Sequence, residues 1–184
     1  MRSLFLTIGS LLGAVSADAA ADKVPEIKGM TTFDTYGVYS GYLDLDTYVD
    51  NSTKSLHYVF VESQNDPATD PLILWFNGGP GCSSMLAWLQ EHGPWVMDDG
   101  DTEFHENPYA WNTKANVIYL DQPAGIGFSY CNTTEDCASG DYASSVDNIQ
   151  ALRSWFERFP AYKTSDLYLS GESYAGIYVP YLLQ

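Results

Sequence analysis

The sequence predicts an α/β protein built on a mixed sheet. Two unbroken apolar runs, "DPLILWF" (70–76) and "ANVIYLDQP" (115–123), read as strands covered on both faces. Helical patterns alternate with strand candidates through the second half of the chain, which favours parallel neighbours. Two earlier strand-like stretches flank a polar segment, so the sheet is expected to start as an antiparallel hairpin.

In chain order, "GVYSGYLDL" (37–45) and "LHYVFVES" (56–63) form that hairpin around "DTYVDNSTKS". The third strand, "DPLILWF", ends abruptly in "NGGPGCSS" (77–84). From Ser84 the pattern turns helical, with Met85, Leu86, Trp88 and Leu89, and "HGP" (92–94) places a Gly cap and a Pro at its end. Residues 95–111 read as an acidic loop, and 115–123 lead into the Gly-rich turn "AGIGFSY". Tyr142, Val146, Ile149, Trp155, Phe156 and Phe159 outline a helix over 141–159 that Pro160 ends. "DLYLS" (166–170) is the last strand, and a helix follows Ser173. Neither a repeat nor an interdomain linker interrupts this order.

Hydrophobic residues make up 45% of the 184 positions and charged ones 17%, the balance of a packed globule rather than a disordered chain. Eight basic against 24 acidic residues give a net charge of −16, which disfavours nucleic acid and anionic membranes as partners. Arg2, the apolar run "LFLTIGSLLGAV" and the small residues of "AVSADAA" have the three parts of a secretory signal peptide over 1–17, with cleavage expected after Ala17 or Ala19. The folded portion is then 25–184. That run is too short to span a membrane comfortably, and none of the later segments qualifies. Acceptor sequons at Asn51 and Asn132 agree with a secretory route. Of three cysteines, Cys131 and Cys137 are near enough in sequence to bridge a local loop, and Cys82 is left over. No His and Cys cluster has ligand spacing, so neither a metal nor another cofactor is expected.

The chemistry concentrates at two places. "GESYA" (171–175) follows an apolar strand, and small residues two positions either side of Ser173 suit a sharp turn that lifts a nucleophilic hydroxyl above the sheet. "NGGPGCSS" offers side-chain-free backbone at Gly78 and Gly79, stiffened by Pro80, where amides could be aimed at an oxyanion. A phosphate loop is disfavoured by the missing Lys and the acidic chain.

"WFNGGPGCSS", "YLDQPAGIGFSY" and "SGESYAGIYVP" occur in the order and spacing found in serine carboxypeptidases, and the chain resembles that family from about residue 30 onward. The resemblance implies an α/β-hydrolase fold, mostly parallel with an antiparallel N-terminal hairpin, in a chain truncated after the nucleophile elbow. It implies an acyl-enzyme at Ser173, an oxyanion hole from the Gly79 and Tyr174 amides, and peptide or protein C-termini as substrate. Asn77, Gly78, Glu91 and Glu172 match the positions that grip the substrate's terminal carboxylate. Two glutamates facing a carboxylate must share protons, so at least one pKa should be raised and binding should favour acidic pH. An acyltransferase of the same fold, or a non-catalytic protein that binds peptide ends, are the alternatives.

The triad partners of Ser173 should follow it in the order Asp, His. Only eleven residues follow, so the chain is expected to be a fragment, inert alone, with Cys82 missing the partner that the resemblance implies. None of the three histidines is a good substitute. His57 reads as a half-buried sheet residue, His92 as an imidazolium at a helix C-terminus, and His105 as solvated in "EFHENP".

Overall fold

The computed structural model describes residues 17–30, 35–45 and 52–184. The short helix α1 (Ala17–Ala21) precedes strands β1 (Val38–Asp44) and β2 (Lys54–Val61), which pair antiparallel from Val38↔Val61 to Asp44↔Ser55. Then come β3 (Leu72–Phe76), the two-residue strands β4 (Trp95–Val96) and β5 (His105–Glu106), β6 (Asn116–Leu120) and β7 (Tyr130–Cys131). Helix α2 (Asp141–Arg158), β8 (Leu167–Gly171) and helix α3 (Ala175–Leu182) complete the chain.

The main sheet has the order β1-β2-β6-β3-β8, with β7 also on β2. β3 runs parallel to both β6 and β8, while β2 is antiparallel to its neighbours. The sheet is therefore mixed, as expected. Alternation sorts its side chains onto two faces. Leu56, Tyr58, Phe60, Leu72, Leu74, Phe76, Ile118 and Leu120 pack beneath Trp155 of α2, Phe159 just past its end, and Tyr178 of α3. Val59, Val61, Trp75, Val117 and Tyr119 point the other way, onto Met85, Ala87, Trp88 and Trp95. Both faces being covered explains the unbroken apolar runs.

Three readings change. The segment after Ser84 is a short helical stretch whose last turn, Ala87–Glu91, is π-type; it stops where a Cβ on Gly93 would collide with the Trp88 carbonyl. The 95–111 region holds the β4–β5 ladder rather than loop alone. The first half of α2 does not bury its apolar positions: Tyr142 is 72% exposed, while Ser144, Ser145, Asp147 and Asn148 are buried. Polar partners dictate this, because Lys54 Nζ meets Asp147 Oδ2 at 2.6 Å and Asn148 Nδ2 donates to Gln122 Oε1 at 3.1 Å. The Asn51 sequon and nearly all of the expected signal peptide fall outside the described residues.

Candidate active site

β3 and β8 are parallel neighbours that end together, Phe76 opposite Gly171. Their C-terminal turns, 95 positions apart in sequence at Asn77 and Glu172, therefore emerge side by side. A Cβ on Gly171 would sit 2.5 Å from both the Phe76 carbonyl oxygen and the Ala175 Cβ, so the bend needs glycine there. Ser173 takes φ = 52°, the one left-handed non-glycine among the described residues. Such a conformation costs about 1–3 kcal/mol and persists only when its surroundings impose it. Here Glu172 N–H donates to Phe76 O, and Ala175 N–H and Gly176 N–H donate back to Glu172 O and Ser173 O as α3 begins. Ser173 is exposed above the sheet end.

The 77–84 loop packs against that turn. A Cβ on Gly78 would lie 2.6 Å from Tyr174 N and 2.9 Å from the Ser173 Cβ, so glycine keeps this amide open. Gly79 has φ = 110°. Neither the Gly79 nor the Tyr174 N–H donates a hydrogen bond among the described residues, so each of the two packed turns carries an unpaired amide. The loop is fixed from below. Ser84 Oγ accepts from Asn77 N–H and donates to Leu120 O, Gly81 N–H donates to Tyr178 Oη, and Asp121 Oδ1 accepts from Ser83 Oγ and Ser84 N–H. Burial opposes the charge on Asp121, but hydrogen bonds from His57, Ser83 and the Phe128 N–H outweigh it and hold its pKa below the usual carboxylate range. Asp121 lies inside "YLDQP", yet its anchoring role was not legible in the sequence: strand periodicity marks it only as the end of a strand.

Beside the amides, buried Asn77 separates two carboxylates. Its Nδ2 donates to Glu172 Oε1 at 3.0 Å and to Glu91 Oε1 at 3.3 Å, and its Oδ1 accepts from Trp75 Nε1. Glu91 is exposed as a whole residue, but its carboxyl is partly desolvated. That desolvation and the nearby charge of Glu172 push its pKa up, partly offset by Asn77. Asn77, Gly78, Gly79, Glu91, Glu172, Ser173 and Tyr174 thus form one cluster. An incoming carboxylate could receive a hydrogen bond from a protonated glutamate, and one from Asn77 Nδ2 where it displaces a glutamate oxygen as acceptor, next to the exposed Ser173 hydroxyl.

No histidine hydrogen-bonds to Ser173 among the described residues. His92 is not an exposed imidazolium: burial against Trp75 and Trp111 lowers its pKa to about 4, and its Nδ1 lies 3.2 Å from Tyr119 Oη. His105 lies between Asp98 and Asp101 on the surface. His57 is buried more completely than half-buried sheet residues are. Cys131 and Cys137 are disulfide-bonded, Cys82 is free, and Asn132 is exposed on the loop that the disulfide closes.

The family model for serine carboxypeptidases matches residues 25–184. The chain belongs to the serine carboxypeptidase family. The mouse lysosomal protective protein is 44% identical over 94% of this chain and 36% of its own length. Serine carboxypeptidase-like 40 of Arabidopsis thaliana is 51% identical over 82% of this chain and 29% of its own. A solved structure of a prohormone-processing carboxypeptidase from Saccharomyces cerevisiae superposes with a TM-score of 0.77 at 30% identity, over 90% of this chain and 38% of that one. The mixed sheet is accordingly that of the α/β-hydrolase fold. The chain spans between 29% and 38% of the length of these relatives. None of its described helices is long and apolar enough to cross a membrane.

Proposed function

We propose that the natural protein is a serine carboxypeptidase that releases C-terminal residues at acidic pH through an acyl-enzyme at Ser173. The observation that carries this reading is the left-handed Ser173 turn between open amides and the Asn77-bridged glutamates. Ser173 Oγ attacks the last peptide carbonyl, and the Gly79 and Tyr174 amides receive the oxyanion. One such donor contributes roughly 2.7–4 kcal/mol to the transition state. The C-terminal amino acid leaves with the serine proton, and water cleaves the ester. The Asp and His of this mechanism must come from outside these 184 residues.

Asn77, Gly78, Glu91 and Glu172 hold the substrate carboxylate. Raised Glu91 binds its proton more tightly in the folded protein, so its contribution is present at low pH and fades as pH rises through its folded pKa. Binding of an anionic terminus fades in the same direction.

The test is hydrolysis of an N-blocked dipeptide by the full natural protein. Release of the free C-terminal amino acid, lost in Ser173→Ala and poor with the C-terminal amide, is expected. Equal cleavage of acid and amide would overturn the carboxylate site; acyl transfer to an alcohol in preference to water would make the protein an acyltransferase. We assign the chain to the secretory pathway, with glycosylation at Asn132 and Asn51. Ala19 is packed in the core, which favours signal cleavage after Ala17. N-terminal sequencing should therefore begin at Asp18.

A further inference from the structure

A second serine, remote in sequence from Ser173, has what Ser173 lacks here. On the face of the β1–β2 hairpin, Ser40 Oγ lies 2.9 Å from His57 Nε2, and His57 Nδ1 lies 3.2 Å from Asp121 Oδ2. The Asp121 side chain is completely buried and His57 is only 7% exposed. An ionised carboxylate can only accept, so Nδ1 carries the hydrogen in the neutral ring and Nε2 is left to accept from the Ser40 hydroxyl. Phe128 N–H donates to the same Asp121 oxygen, and the imidazole is held by aromatic rings, Phe128 at 5.1 Å and Tyr42 at 5.5 Å. A nucleophile within reach of a base that is itself oriented by a third group is the arrangement that activates serine. Ser40 is partly exposed and borders a cleft of about 780 Å³, whose apolar wall includes Val24, Ile27, Val59, Met85, Trp88 and Leu89.

We infer that Ser40, His57 and Asp121 form a second reactive-serine site, which takes acyl or phosphonyl esters and fluorides bearing an apolar chain. Ser40 Oγ bonds to the electrophilic carbon or phosphorus as its proton passes to His57 Nε2. The alkoxide leaves with that proton, or fluoride leaves and the imidazolium gives its proton to solvent. The Ser40 N–H is already committed to Asp22 O, and among the described residues no pair of unpaired amides is seen at Ser40, so the adduct forms once and accumulates rather than turning over. The site is independent of the role proposed for Ser173.

The experiment is labelling of the full natural protein, carrying Ser173→Ala, with a long-chain alkyl fluorophosphonate, read by peptide mass mapping. The expected result is a stoichiometric adduct on Ser40. With His57→Gln added, its rate should fall roughly 100-fold or more, the scale of a lost general base. Circular dichroism and a thermal melt establish that each variant is folded. If His57→Gln fails to fold, Tyr42→Ala, which opens the cleft at an exposed position, should change the Ser40 labelling rate instead. A folded Ser173→Ala protein without a Ser40 adduct, or an adduct whose rate ignores both substitutions, overturns the inference; a hydrogen bond that merely ties β1 to β2 gives that outcome.

Discussion

Ser173 and Ser40 are complementary halves of one chemical requirement. Ser173 sits on a strained bend near unpaired amides and the Asn77-bridged glutamates, the cluster proposed to hold a carboxylate, with no base among the described residues. Ser40 sits on an unstrained strand with a base and an acid in line, but without unpaired amides beside it among the described residues. The difference follows from backbone geometry. A sharp strand-to-helix turn frees N–H groups from pairing, whereas within a ladder the amides are committed to neighbouring strands. Serine reactivity is thus separable into proton removal, which side chains supply, and charge stabilisation, for which amides left unpaired by irregular backbone are one source.

The largest expected effect separates the two. Ser173→Ala in the natural protein should lower peptide turnover on the order of 10⁶-fold, measured as free amino acid released, while Ser40 still takes its adduct. Next, Gly78→Ala places a methyl against Tyr174 N, and kcat should drop about 10²–10³-fold with KM less affected. An unaltered kcat would show that this amide is not used. Asp121→Asn attacks both regions at once, because one carboxylate ties Ser83 and Ser84 to one oxygen and His57 to the other. A loss of about 1–3 kcal/mol in chemical denaturation is expected, together with slower Ser40 labelling. The smallest effect is a pH shift. Glu172→Gln puts into the cluster a side-chain donor that needs no proton, so the optimum for peptide hydrolysis should move upward even though Glu91 loses the neighbouring charge that raises its pKa; an unchanged pH–rate profile removes Glu172 from the carboxylate site.

The two carboxyl groups also bound the pH range in opposite senses. Asp121 has a depressed folded pKa, so its stabilisation is present above the unfolded value of about 3.9 and is lost as pH falls through the folded one. Raised Glu91 contributes below its unfolded value of about 4.3 and loses that contribution as pH climbs. The Asp121-anchored 77–84 loop and a protonated Glu91 are therefore favoured together above the folded pKa of Asp121 and below that of Glu91.

Strands were legible because burial on both faces leaves continuous apolar runs, as in Leu72–Phe76 and Asn116–Leu120. The Ser173 turn was legible because Gly171 and Ala175 are steric requirements. Less could be read wherever a polar residue is buried by a distant partner. Asp147 and Asn148 owe their burial to Lys54 and Gln122, which no local window pairs with them. The relay through His57 joins residues from β1, β2 and the end of β6, and each alone looks like an ordinary sheet position.

The parallel pairing of β3 with β8 has a consequence for biosynthesis. The glycine loop leaves the ribosome long before the serine turn it packs against, and the bend at Ser173 is held only once Phe76 and Gly171 are in register. The Ser173 bend is thus a late product of synthesis, since its backbone anchor on Phe76 has waited through the ninety-odd residues that separate the two strands.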